Sequence, residues 1–379
     1  MNKQFNEIEG KISQEYEKLK REIERPNILL VGGTGVGKSS LINLCFGKTI
    51  AEVGIGKPVT QCLDRFKIPD MSLVLFDTKG YELGSEKHTA FLNEVVNYAV
   101  ENKMEKHKQI HIVWYCIQAS GHRILDLDVD IIKKFNRIGI PICIIFTKCD
   151  IVTENEMTIL GKKTFKELPN INQFQISMPK AGGSMQLSTK SNLNYFDLEN
   201  LCSWSINSLP QGLKFAFISA QKINLNTKRE EANNIVVQHS SASAFVGFAP
   251  IPFSDAPILL VNQTGMLVRI LFIYDMQSLT PAIQGMIGAL GIPTILSNTG
   301  IWITGQLLKL IPGLGSIAGG LISASIAASL TSVIGFSIIE FCHGMYKLVL
   351  DGNLEKVESY IKNADTIFEK LVNEKYHKL

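Results

Sequence analysis

Charge is what this sequence has least of. Only 19% of its 379 residues are Asp, Glu, Lys or Arg, against a usual ~25%. The 38 bases and 35 acids nearly cancel, leaving a net charge of +3, which gives no support for nucleic-acid binding by overall charge. Low charge with a slightly positive mean hydropathy excludes intrinsic disorder over most of the length. Cysteine is sparse and unpatterned. The seven residues Cys45, Cys62, Cys116, Cys143, Cys149, Cys202 and Cys342 contain no CxxC pair and no matching histidine spacing. They read as reduced, mostly buried thiols of a cytosolic protein rather than a zinc or disulfide framework. His107 and His111 stand four apart but straddle a helix-to-strand boundary, so they are not read as a metal site. The N-terminus is charged from Lys3 onward and lacks an apolar stretch ending in small residues, so no secretory signal is expected.

The shortage of charge is local. From Ser240 to Met345 the only acids and bases are Asp255, Arg269, Asp275, Lys309 and Glu340. A chain of this length makes two or three domains of ~150 residues, and the periodicity divides it into four segments. Residues 1–26 form an amphipathic helix, with Phe5, Ile8, Ile12, Tyr16, Leu19 and Ile23 on one stripe and Pro26 ending it. Residues 351–379 repeat the pattern with Leu354, Val357, Ile361, Ala364, Phe368 and Leu371. Each stripe needs a partner, either the other helix or a shared helical domain; a plain surface helix is the alternative.

Residues 27–210 alternate strands with helices. Strands are expected at Asn27–Val31, Cys62–Ile68, Ser72–Asp77, Ile110–Cys116, Pro141–Thr147 and Asn172–Ser177. Pro69-Asp70 makes the second and third a hairpin, and the rest are parallel. Helices are expected at Lys38–Phe46, Lys87–Asn102, Leu125–Arg137, Thr153–Glu167 and Phe196–Leu209. The fold class is thus α/β: a doubly wound, mostly parallel sheet with one antiparallel edge strand, its ligand at the strands' carboxyl ends. An all-α, strongly apolar region follows at 211–350.

The first strand runs into Gly32-Gly33-Thr34-Gly35-Val36-Gly37-Lys38-Ser39-Ser40, which fits GxxxxGK[ST] and opens a helix. Glycines let successive N–H groups curl around phosphates, and the helix N-terminus adds a positive dipole end. Lys38 is expected on the β- and γ-phosphates and the Ser39 hydroxyl on Mg²⁺. The third strand delivers Asp77-Thr78-Lys79-Gly80, where the Asp77 carboxylate can hold Mg²⁺ through water and the Gly80 N–H can sense a γ-phosphate. A later strand ends in Thr147-Lys148-Cys149-Asp150. Guanine presents N1–H and an N2 amine on one edge, so Asp150 can accept both, while Lys148 lays its stem over the ring. This pattern selects GTP over ATP.

In GGTGVGKSSLIN, DTKG and TKCD the sequence resembles the P-loop GTPases, most closely the bacterial Era-like group of the TRAFAC class, over residues 27–209. The resemblance implies GTP hydrolysis, GTP/GDP and Mg²⁺ as ligands, and a switch threonine that closes over the metal. Thr60 suits that role better than Thr49, which follows the first helix too closely. For the base-side S-A turn, Ser219-Ala220 matches the letters, but Ser177 matches the topology and is preferred. Two departures point to slow intrinsic hydrolysis, accelerated by self-association through the G domain or by a partner's charge. Tyr81 stands where relatives carry a water-orienting glutamine, and Gly35 where potassium-activated relatives carry asparagine.

The runs PIPFSDAP and KLIPGLGSIAGG resemble signatures of an uncharacterised helical domain that follows bacterial Era-like G domains, over about residues 213–350. That likeness implies membrane association. Ser254 or Asp255 is expected to cap a helix reaching Asp275. Leu310–Ile339 is long enough to cross ~30 Å of hydrocarbon after Pro312, while Pro281–Leu308 is broken by Pro293 and Asn298. Gly315, Gly319, Ser323, Ala327, Thr331 and Gly335 make a small-residue stripe that lets helices approach. A membrane-inserted hairpin and a soluble bundle with a buried central helix both fit; the shortage of charge favours a membrane partner at residues 240–345, on the cytoplasmic face. A ribosome- or RNA-assembly GTPase is the alternative, disfavoured because this region has almost no Lys or Arg. A GTP-binding scaffold without turnover is a third.

Overall fold

A computed structural model describes residues 2–47, 57–58, 60, 63–67, 71–78, 86–121, 123–177, 197–246, 255–276 and 324–376. Thr49, Cys62, Gly80, Tyr81, Ser254 and the apolar stretch 277–323, with Pro281–Leu308, Pro312, Gly315, Gly319 and Ser323, lie outside the described residues. The chain divides into two compact units, one made of Ile23–Ser184 with Thr189–Asn224, the other chiefly of Met1–Glu22 and Leu225–Leu379.

The first unit is built on a seven-stranded sheet in the order β2-β3-β4-β1-β5-β6-β7. Its strands are β1 (Asn27–Val31), β2 (Lys57–Pro58), β3 (Leu63–Lys67), β4 (Val74–Thr78), β5 (Ile112–Gln118), β6 (Ile142–Thr147) and β7 (Asn172–Gln175). Every residue of β1 and β6 is buried, as central strands covered on both faces require. β1 runs parallel to β4 and β5, and β5, β6 and β7 continue in parallel. β3 alone reverses against β4, pairing Asp64 with Asp77, as the Pro69-Asp70 turn implied. Strand boundaries differ from expectation at several ends. β4 and β5 end later, at Thr78 and Gln118, because pairing with β3 and β6 carries the ladder past the apolar run. The two-residue β2 was not expected, since its register comes from β3 and not from local pattern.

Among the described residues, five helices flank these strands: α2 (Lys38–Phe46), α3 (Glu86–Glu101), α4 (Asp126–Arg137), α5 (Glu154–Glu167) and α6 (Leu198–Ser208). α5 opens with a capping box in which Thr153 and Glu156 satisfy each other's backbone N–H groups. A sixth, α7 (Gln211–Ala220), also belongs to this unit, so the division falls after Asn224 rather than at 211. Its Phe217 meets Phe46 edge-on, which ties it to the sheet's core.

The second unit contains α1 (Asn2–Glu22), α8 (Leu225–Val246), α9 (Asp255–Ile273), α10 (Ala324–Leu350), α11 (Leu354–Lys362) and α12 (Ala364–Tyr376). α1 ends before Pro26 and buries Ile12 and Tyr16, the latter against Phe272 of α9. The C-terminal stripe is broken at Asn363 into two helices. Leu354 is exposed, and Val357, Ala364, Phe368 and Val372 make the buried face instead, with Phe368 edge-on to Phe341 of α10.

α10 is the hub of this unit. It continues past Ile339 and Glu340 to Leu350, and Leu330, Val333, Ile334, Ile338, Ile339, Cys342 and Met345 are all buried. Ala328–Leu350 is long and apolar enough to cross a membrane by length and composition, and 56% of its window is buried inside the protein. Of the small-residue stripe, Gly335 admits α8 so closely that a Cβ there would lie 2.6 Å from Val236 Cγ2. Polar groups on this seam satisfy one another: Ser243 with Thr331 at 2.9 Å, Gln263 with Thr331 at 3.1 Å, and Ser332 with Ser240 at 2.9 Å. Glu340 pairs with Arg229 of α8 and with Lys375 of α12.

Candidate functional site

β1 delivers the chain at the carboxyl edge of the sheet, where Gly32 passes so close to β5 that a Cβ would sit 2.6 Å from the Cys116 carbonyl. Gly35 and Gly37 follow in left-handed conformations, at φ 71° and 110°, which L side chains rarely adopt. The resulting loop turns directly into α2 at Lys38. Thr34, Gly35, Ser39 and Ser40 are exposed at its rim, Gly33 and Gly37 are half-buried, and Val36 is buried beneath.

Lys38 is only 8% exposed. Its Nζ donates to the Gly32 carbonyl at 2.8 Å and to Gly33 at 3.4 Å, and it lies 3.7 Å from Asp77 Oδ1 on β4. Asp77 Oδ1 is buried with no hydrogen-bond partner. Burial, with Asp64 across the β3–β4 hairpin adding to it and Lys38 opposing, pushes the Asp77 carboxyl up to about 6. A buried carboxylate oxygen left open beside an exposed hydroxyl at the start of α2 is a donor set that suits a hard divalent cation.

β6 ends in the second half of the site. The Thr147 hydroxyl donates to the Val36 carbonyl, joining this strand end to the glycine-rich loop. Lys148 takes a left-handed φ of 55°, and its Nζ donates to Gln118 Oε1 at 3.1 Å. Cys149 is buried, its N–H bonded to the Ile176 carbonyl at 3.3 Å and its thiol pushed up to about 11 by burial, so it is a packing residue rather than a reactive one. Asp150 is exposed in the turn that follows. Ser177 is buried just beyond β7 on this same edge, whereas Ser219 lies inside α7. Thr60 is half-buried outside β3, its N–H donating to the Leu63 carbonyl at 3.2 Å.

The structure therefore gathers the loop, Asp77, the Thr147–Asp150 turn and Ser177 along one edge. Two neighbours were missed in the sequence. Gln118 was hidden because β5 was ended two residues early, and Asp64 because only the hairpin register sets it opposite Asp77. Gly32 was read as the first glycine of the run, but its close approach to Cys116 is a tertiary fact.

A glycine loop cradling a buried lysine at the head of a helix, with a strand-end carboxylate alongside, defines a P-loop nucleotide-binding domain. Residues 27–148 match the family described as 50S ribosome-binding GTPase. A probable GTP-binding protein EngB of Flavobacterium psychrophilum is 30% identical over 155 residues, 38% of this chain and 73% of the relative. The EngB protein of Aquifex aeolicus is 30% identical over 146 residues, 38% of this chain and 74% of the relative. A solved structure of Era in complex with MgGDPNP and 16S ribosomal RNA covers 58% of this chain and 68% of its own, at 19% identity and a TM-score of 0.33. The chain belongs to the P-loop GTPases of the EngB type: it is a GTP-binding, GTP-hydrolysing enzyme.

Proposed function

We propose that this protein is a Mg²⁺-dependent GTP switch whose nucleotide state controls a membrane-associating helical domain. The observation that carries the nucleotide half is the convergence of Lys38, Asp77, Lys148 and Asp150 on one sheet edge. Backbone N–H groups of Gly33 through Ser40 and the Lys38 ammonium bind the phosphates. Asp150 accepts from guanine N1–H and N2, Lys148 covers the ring, Thr147 holds the two halves together, and Ser177 closes the base side. Ser39, Asp77 and Thr60 hold Mg²⁺, a fit supported by the open buried oxygen of Asp77. The ion supplies charge neutralisation at the phosphates. Gly80 is assigned to the γ-phosphate end. Slow turnover by the lone protein, raised by pairing of two G domains or by a partner's cation, follows from Tyr81 and Gly35. Phosphate release that rises with protein concentration supports this; a fast, potassium-stimulated rate independent of concentration overturns it.

The membrane half is supported by the stretch from Asp275 to Glu340, where Lys309 is the one charged residue between them. On this reading the protein acts at the cytoplasmic face of a bilayer. Flotation with liposomes, with and without GTP, tests it: protein that stays at the bottom in both removes the membrane reading. A second reading, binding to ribosomal RNA, is favoured by the family's description and by the Era complex with RNA. The near absence of Lys and Arg from 240–345 weighs against it. Salt-sensitive co-sedimentation with ribosomes, without flotation, would favour it.

A further inference from the structure

A lysine side chain that covers a base must be held in one of many rotamers, and at Lys148 the structure shows what holds it. The residue follows Thr147, the last of β6, and its backbone lies in the left-handed region at φ 55° and ψ 39°. That backbone is fixed on both sides: the Thr147 hydroxyl donates to the Val36 carbonyl, and the Cys149 N–H to the Ile176 carbonyl at 3.3 Å. The flexible stem beyond it still rotates unless its end is tied. β5 supplies the tie. Its last residue, Gln118, pairs in register with Thr147, and Gln118 Oε1 accepts from Lys148 Nζ at 3.1 Å.

Gln118 is held in its turn. Its Nε2 donates to the hydroxyl of Ser120, in the short turn Ala119–Gly121. The two bonds agree on which way the amide faces, because the reverse orientation would set its NH2 group against the ammonium, donor against donor. Gln118, Ser120 and Lys148 are all half-buried, whereas Ile117 and Ala119 on either side of Gln118 are buried in the apolar core. Packing of this strand end is thus carried by its neighbours, and the Gln118 side chain is left to face Lys148.

We infer that Gln118 is a positioning residue for guanine-nucleotide affinity: it holds the Lys148 ammonium so that the stem stands as one wall of the base site before nucleotide arrives. Ordering a rotamer-rich side chain at the moment of binding costs affinity, and a side chain ordered beforehand avoids part of that cost. The effect belongs to the base and not to the phosphates, so GDP and GTP share it. This inference rests on the reading above in which Lys148 covers the ring.

A double-mutant cycle in the full chain tests it, with wild type, Gln118→Ala, Lys148→Met and the pair titrated with fluorescent GDP and a fluorescent non-hydrolysable GTP analogue. Lys148→Met keeps an unbranched apolar stem and removes the ammonium. Each single variant is expected to weaken both nucleotides by about three- to tenfold, and the pair to bind no more weakly than the weaker single variant. Wild-type affinity in either single variant, or a pair in which the two losses multiply, overturns the inference; multiplied losses would mean that Gln118 supports the fold of the strand end and not the lysine. Lys148→Ala, which removes the stem as well, separates this from the reading beneath it. Wild-type affinity in Lys148→Ala removes the assignment of Lys148 to the ring, and the inference with it. If Gln118→Ala loses its cooperative thermal transition, Gln118→Met, of similar size and without the amide acceptor, takes its place in the cycle.

Discussion

The hydroxyl of Thr147 donates to the backbone carbonyl of Val36, so the strand end carrying Lys148 and Asp150 is fastened to the glycine-rich loop. Replacing it with valine keeps the shape and leaves a buried carbonyl unpaired, a cost of about 1–3 kcal/mol. Thr147→Val should lower the thermal midpoint and weaken GDP binding by roughly tenfold, both readable from one fluorescent-GDP titration and one melt. Unchanged affinity would mean that the two halves of the site are held by something else.

Lys38 holds the Gly32 and Gly33 carbonyls and faces Asp77. Losing charge-assisted bonds to phosphate costs about 2–3 kcal/mol, so Lys38→Ala should weaken GTP and GDP binding about a hundredfold or more. Equilibrium dialysis with either nucleotide checks this.

Asp150 is exposed where β6 leaves the sheet. In Asp150→Asn the amide can donate to the C2 carbonyl of xanthine, which guanine lacks. Affinity should pass from guanine to xanthine nucleotides, and a variant that still prefers GTP would refute the assigned contact.

Glu340 is the acid at which three helices meet. Burial raises its pKa, but Lys375 and Arg229 outweigh that and hold the carboxyl below the usual carboxylate range. For an acid with a depressed folded pKa, the stabilisation is present above the unfolded value of 4.5 and is lost as pH falls through the folded value. Wild type should therefore melt higher than Glu340→Gln near neutrality, with the gap closing below pH 4.5. Equal melts at pH 7 would show that the network contributes nothing.

Gly335 has Val236 Cγ2 at 2.6 Å and Met266 Sδ at 2.9 Å from where a Cβ would stand. Gly335→Ala should lower unfolding free energy by ~1–3 kcal/mol through overpacking. Shortening the neighbour in Gly335→Ala with Val236→Ala should recover part of that in a denaturant titration.

The sheet unit was legible in the sequence because its signals are local. A run such as Ile142–Thr147 is apolar at every position, and GGTGVGKSS and TKCD fall where strands give way to turns. The helix expected from Thr153 likewise begins one residue on, at Glu154. The missed features depend on partners far along the chain. β2 exists because β3 offers an edge, and Gln118 joins the site because β6 carries β5 to that length.

In the apolar region the sequence by itself determined that helices form and that Thr331 and Gly335 leave room for a neighbour. Only the tertiary structure decided which neighbour: α8 fills the groove at Gly335, while Gln263, Ser243 and Thr331 spend their polar groups on one another. The sequence also determined that the C-terminal segment is helical with an apolar face. Tertiary packing broke it at Asn363, left Leu354 in solvent and buried Val372 in its place. The physical reason is common to both cases. Helical periodicity is written within a few residues of each position, but a buried face is chosen by the shape and polarity of a surface that only folding brings near.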